Sequence, residues 1–211
     1  MTQKSEELED LRIRRSRKML QQALIELSVE KGFAAITVRE ITERAMVNRS
    51  TFYRHYLDKY DLLNQYMDEV YQLIADADDE ALQARKAGQN PKGMPSGLLS
   101  LLKHIQQFRD FYRVMLGPNG DPVFIQRLRQ NAAKRFRVLL STMTVSSDPN
   151  APPLDLKLTY VSYAGVGAIV WWLEQDQPIS PEELATWVGQ LSTASMGLPT
   201  GLHGEASDRS G

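Results

Sequence analysis

Apolar residues recur three and four positions apart along most of the chain, and no stretch alternates apolar with polar residues for long enough to make a half-buried strand. In Ile13 to Gly32 (IRRSRKMLQQALIELSVEKG), Ile13, Leu20, Leu24 and Leu27 keep helical spacing and a glycine stands where a C-terminal cap is needed, so a first helix is predicted. Over Thr37 to Tyr56 (TVREITERAMVNRSTFYRHY), Ile41 and Ala45 are four apart, Phe52 and Tyr56 repeat that spacing, and Val47 lies between the pairs. This pattern predicts a short helix, a tight turn and a second helix that cross over a small shared core. Thr37, with Glu40 three residues later, forms a capping box that marks the start of the pair.

Beyond Tyr56, an amphipathic pattern through Leu62, Leu63, Tyr66, Val70, Leu73 and Ile74 toward Ala84 predicts one long connecting helix. Lys86 to Gly97 (KAGQNPKGMPSG) breaks it, and helical spacing resumes over Leu98 to Arg109 and Tyr112 to Leu116. A turn over Gly117 to Pro122 precedes a helix from Val123 to about Met143, and Ser146 to Pro153 reads as a loop. Leu154 to Gln175 is the most apolar helix of the chain. Ser180 as N-cap, Pro181 at the first helical position and Glu182 and Glu183 in the first turn open a last helix to about Met196. Gly197 to Gly211 has little apolar content, which predicts disorder. The expectation is an all-α fold of about nine helices: a three-helix domain over 11–60, a helical bundle over 61–197 and a tail over 198–211.

The 211 residues suffice for these two domains, and their net charge of -1 conceals a split. Residues 11–60 hold 11 Lys and Arg against 5 Asp and Glu, residues 61–211 hold 13 against 17, and residues 1–10 hold 1 against 4. The basic segment is the candidate nucleic-acid footprint, and the acidic remainder argues against a protein that coats DNA with its whole surface. Without cysteine there is no disulfide framework, zinc-cysteine site or thiol nucleophile. No run of eighteen apolar residues occurs, and the N-terminus lacks the pattern of a secretory signal, so a cytoplasmic protein that does not enter a membrane is expected.

The segment 37–56 has the layout of a helix-turn-helix DNA reader, with Arg49, Ser50, Thr51, Tyr53 and Arg54 turned away from the core side marked by Phe52. Arginines, hydroxyls and a phenol suit phosphate oxygens and base edges. The run RRSRKMLQQALIELSVEKGFAAITVREITERAMVNRSTFYRHYLDKYDLL, about fifty residues, resembles the DNA-binding domain of the TetR family of bacterial regulators, including the TFYRHY run and the lysine after it. One departure lies in the turn, where the family usually has alanine-glycine-valine and this chain has Ala45, Met46, Val47. Met46 is expected in the left-handed conformation at a cost of about 1 kcal/mol, or the turn differs.

The resemblance implies DNA contacts by Thr37, Arg39, Arg49, Ser50, Thr51, Tyr53, Arg54, His55 and Lys59. Tyr53 and Lys59 are expected on phosphate and Arg49 and Arg39 on guanine edges. His55 suits either a phosphate or the gap beside Phe52. The resemblance also implies a sequence-specific, ligand-responsive homodimeric repressor that binds a palindromic operator in double-stranded DNA. The last two helices would pair across a twofold axis through Tyr160, Tyr163, Gly165, Gly167, Trp171, Leu184, Trp187 and Val188, although an ordinary buried helix also accounts for these residues. His104, Phe108, Phe111, Tyr112, Met115 and Phe124, with Phe136, either line an effector pocket or form plain core. The segments FYRVMLGPNGDPVFIQRL and WWLEQDQPISPEELA resemble a subgroup that includes regulators controlled by a partner protein, so an activator or co-regulator of that kind is the alternative. An enzyme is not expected: there is no cysteine, no glycine-rich phosphate loop and no metal-ligand spacing among His55, His104 and His203, and no cofactor or metal is anticipated.

Overall fold

The computed structural model describes residues 2–86, 96–118, 120–141 and 152–196, and nine α-helices and one 3-10 turn fall within them. The helices are α1 Thr2–Lys31, α2 Val38–Arg44, α3 Arg49–His55, α4 Lys59–Lys86, α5 Ser96–Gln107, α6 Arg109–Leu116, α7 Pro122–Ser141, α8 Leu154–Glu174 and α9 Pro181–Ser195. The 3-10 turn, Phe33–Ala35, joins α1 to α2. α1 begins eleven residues before the predicted Ile13, because the apolar spacing that announced it is absent from its polar first third. Most of the predicted loops over 86–97 and 146–153, and the tail over 198–211, lie outside the described residues, as does Asn119 in the predicted turn.

Leu20, Leu24, Ile41, Phe52 and Tyr56 are buried together, so α1, α2 and α3 close on one small core. That core does not stop at residue 60. It continues through Leu62, Met67 and Ile74 of α4 into α5, α6 and the α8–α9 hairpin. α1 packs on α4 and α6 as well as on α2, so the predicted division is bridged by continuous packing. In the bundle α4 lies on α5, α7 on α8, and α9 on both α5 and α8. Among the described residues no helix is long and apolar enough to cross a membrane.

Candidate nucleic-acid interface and bundle sites

The helix-turn-helix is held at each end by local hydrogen bonds. Thr37 accepts from the amide of Glu40 while the Glu40 carboxylate accepts from the amide and hydroxyl of Thr37, the capping box read from sequence. Glu40 also pairs with Lys31 of α1. These bonds hold its carboxyl down at about 2, the Lys31 contact contributing most. Thr37 is thus engaged in capping, and Arg39 is paired with Glu43 at 2.7 Å on an exposed face.

α2 ends as the departure in the turn required. Met46 has φ 51°, and the amides of Met46 and Val47 close back on the carbonyls of Glu43 and Thr42 at 3.2 and 3.0 Å. This is a Schellman closure with methionine where glycine is usual. The Met46 side chain points into solvent, 88% exposed, which removes steric conflict but not backbone strain. Asn48 then caps α3: its side-chain oxygen accepts from the Ser50 amide and hydroxyl, both at 3.0 Å. Sequence reasoning missed Asn48, although asparagine directly before a helical run is a recognised cap signal.

α3 turns Phe52 wholly inward and leaves Arg49, Ser50, Tyr53 and Arg54 outside, with Thr51 half-buried. Phe52 supports Tyr53 and Tyr56 through ring contacts, the first edge-on at 5.4 Å. Arg49 donates to the Tyr53 hydroxyl at 3.3 Å and lies 5.7 Å from its ring, so the two form one polar unit on the surface. His55 is half-buried against Tyr56. Burial, with Arg17 and Arg54 nearby, lowers its pKa. Its ring sits beside that of Tyr56 at the end of α3, 6.3 Å between centroids. Arg17 of α1, which sequence reasoning overlooked, lies close enough to act on His55 electrostatically.

Lys59 is placed differently from its expected role. Its ammonium donates to the carbonyls of Phe33, Ala34 and Ile36, each at 2.9 Å, and lies 4.9 Å from the Phe33 ring. All three N–H bonds are used inside the protein, clamping the start of α4 to the α1–α2 connection. Burial lowers its pKa. A phosphate would have to displace those carbonyls.

The bundle sorts the remaining candidates. His104, Phe108, Phe111, Tyr112 and Phe124 pack ring on ring, with Met115 buried among the same core residues, and His104 Nε2 meets the Tyr66 hydroxyl at 2.9 Å. Burial alone pulls His104 down to about 4. A cavity of about 80 Å³ lies elsewhere, between α4, α5, α7, α8 and α9, and none of those six residues lines it; Phe136 does. The predicted pocket set does not line this cavity: its rings mostly meet one another, while Phe108 and Phe111 also border an open groove against α1 and Tyr112 a pocket of about 10 Å³.

The predicted dimer residues also divide. Tyr160, Tyr163, Gly167, Trp171 and Trp187 stand on an outer face of α8 and α9 beside Leu156 and Leu191. Leu184 and Val188, 2% and 7% exposed, belong to the protomer's own core, and Gly165 lines the cavity. Those three leave the outer face because α9 turns Leu184 and Val188 toward α5 and α8, and α8 turns Gly165 toward the cavity. Arg113 closes the hairpin, donating to the Leu173 carbonyl at 2.8 Å and to Asp176 at 3.0 Å.

Residues 21–66 match the family described as bacterial regulatory proteins, tetR family, and residues 92–194 match a transcriptional regulator C-terminal region. The HTH-type transcriptional regulator TcmR of Streptomyces glaucescens is 33% identical over 197 residues, 84% of this chain and 82% of TcmR. The uncharacterized HTH-type transcriptional regulator YxbF of Bacillus subtilis (strain 168) is 39% identical over 172 residues, 82% of this chain; the chain spans only 43% of YxbF. A TetR transcriptional regulator from Streptococcus agalactiae 2603V, 24% identical, has the same fold, with a TM-score of 0.63 over 88% of this chain and 97% of that one.

Proposed function

The chain belongs to the TetR family of DNA-binding transcriptional regulators, and we propose that it acts as a homodimeric, ligand-responsive repressor of a palindromic operator. The observation that carries this reading is the pairing of two surfaces. α3 displays Arg49, Ser50, Tyr53 and Arg54 over a buried Phe52, while α8 and α9 expose Tyr160, Trp171 and Trp187, with Tyr163 beside them under the Arg129 guanidinium, 4.2 Å from its ring. A seven-residue reading helix offers few base contacts, so useful affinity requires two copies at a fixed spacing.

Arg49 and Arg54 are assigned to the major groove, Arg49 to a guanine edge and Tyr53 to a phosphate beside it. Arg39 reaches DNA by exchanging Glu43 for a phosphate or base. Thr37 and Ser50 position the two helices through their caps. Lys59 acts through its clamp. Tyr160, Tyr163, Gly167, Trp171 and Trp187 form the seam between protomers, and the cavity holds the effector. Repression fits a protein whose DNA-bound state needs only to occupy a promoter.

The test is selection of bound duplexes from a random pool by the full chain, with sedimentation alongside. Recovery of an inverted repeat with half-sites one helical turn apart, about 34–36 Å, by a dimer is the expected result. Equal retention of unrelated duplexes, or binding by a monomer, would refute it.

A further inference from the structure

The cavity's wall is mostly aliphatic, with Ile74, Leu102, Leu128 and Ile169 among its members. Two polar groups interrupt it. The hydroxyl of Tyr71 is buried without a well-formed hydrogen bond among the described residues, and the Asn131 side chain lies beside it. Asn131, on the facing helix α7, donates its Nδ2 to the Arg127 carbonyl at 3.1 Å, which leaves Oδ1 as an acceptor. The charged lining residue, Arg135, gives Nε and Nη2 to Asp78 Oδ2 at 2.9 and 2.8 Å, and the other oxygen of Asp78 accepts from the Gly97 amide at 2.9 Å. That corner is neutral overall, and both oxygens of its carboxylate are engaged. On the α8 wall a Cβ added to Gly165 would meet nothing within 4 Å, so space remains there.

A buried hydroxyl left without a partner is destabilising, and a ligand oxygen that accepts its proton recovers the loss. An acceptor nearby can take a proton in return. A single hydroxyl satisfies both groups, whereas an ether or ketone satisfies one and a hydrocarbon neither. A carboxylate would be stripped of water beside an arginine that is already neutralised, an arrangement that disfavours burial of the charge. The volume is on the order of half that of the ~150 Å³ apolar cavity known to hold benzene, so the occupant is compact and a six-membered ring enters only as the cavity walls give way.

We propose that this cavity takes a small uncharged alcohol or phenol, or the hydroxyl-bearing end of a larger neutral molecule, with the hydroxyl between Tyr71 and Asn131 and the carbon skeleton against the aliphatic wall. The assignment rests on the reading that the bundle binds an effector, and it names the effector's chemical class.

Phenol, benzene and benzoate, matched in shape, would be titrated into the full chain by calorimetry and followed by thermal melting. Saturable binding of phenol, weaker binding of benzene and none of benzoate are expected. Tyr71→Phe should weaken phenol about fivefold, the equivalent of one neutral hydrogen bond, and leave benzene unchanged. Asn131→Ala should show the same selectivity, and Gly165→Leu should abolish phenol binding by filling the space. Benzoate binding as tightly as phenol, phenol binding unchanged in Tyr71→Phe, or no saturable phenol binding would overturn the assignment. Operator affinity measured with and without phenol separates the two claims. Tyr71-dependent binding that leaves DNA affinity unchanged would support the site and refute its role as the effector site.

Discussion

Aromatic side chains stand in water on α3 and on the α8–α9 hairpin, and their neighbours make the two surfaces different. Tyr53 is flanked by Arg49, Ser50 and Arg54, and Arg49 bonds to its hydroxyl. Tyr160, Trp171 and Trp187 share their face with Leu156, Leu191 and the bare backbone of Gly167. A ring held among cations and hydroxyls meets an anion without giving up water over a wide area. A ring among aliphatic groups gains by losing water, at about 25 cal/mol per Å² over some 150–250 Å² per ring. Exposed aromatics therefore do not define one kind of site; on the proposed reading, the company they keep suits phosphate in one case and another apolar surface in the other.

The sharpest way to break this comparison is Gly167→Leu, for which the protomer has open space, so that only a partner across the seam would meet the new side chain. Operator affinity should fall by about 100-fold or more as bivalent binding is lost, while the helix content of the protomer is unchanged. Sedimentation beside an operator shift assay checks it. A variant that stays dimeric and binds normally would move the seam elsewhere. Gly165→Leu, two residues away, should leave dimer and operator binding intact.

On the DNA side, Lys59→Met separates a clamp from a phosphate contact. Loss of the clamp leaves the carbonyls of Phe33, Ala34 and Ile36 unpaired and should cost about 1–3 kcal/mol in denaturant melts. The slope of log affinity against log salt should stay at the parent's value. A slope lower by about one with unchanged stability would return Lys59 to the phosphate backbone.

Acid should act on the bundle through His104. His104 is neutral when folded until about pH 4, against an ordinary value of 6.5. Above 6.5 both states are neutral. As pH falls from about 6.5 to about 4 the unfolded chain binds a proton that the folded chain does not, so stability is lost across that window. The loss should reach about 1–3 kcal/mol after screening of this incompletely buried ring, and His104→Gln should flatten it in melts taken at stepped pH. An equally steep decline in that variant would assign the acid sensitivity to other groups. The smallest expected effect is at Met46, where Met46→Gly relieves the left-handed strain and should stabilise by about 0.5–1 kcal/mol, less than glycine's gain in φ alone because the unfolded chain becomes freer. A destabilised variant would mean that Met46 makes contacts worth more than its strain.

The reading face was legible because its signals are local. Phe52, Tyr56, the Thr37 and Glu40 box and the methionine in the glycine position all act within one or two helical turns, and the caps and φ of 51° follow from them. The Lys59 clamp was not legible, since it joins residues 23 to 26 apart in the chain through a corner that no periodicity marks. Nor was the cavity. Aromatic spacing in α5 and α6 identifies a helix face but does not distinguish rings that enclose space from rings that occupy it.

The amino-acid order by itself determined most of the helical segments, where the first of the two short reading helices begins and which residues of the pair face outward, because hydrogen-bond capping and a 3.6-residue period are properties of a few neighbouring residues. Tertiary structure alone decided the two sides of α8. Gly165 and Gly167 are about 200° apart on any helix, yet this helix is so apolar all round that only the packing of α7 and α9 against it makes the first a cavity wall and the second an outer face.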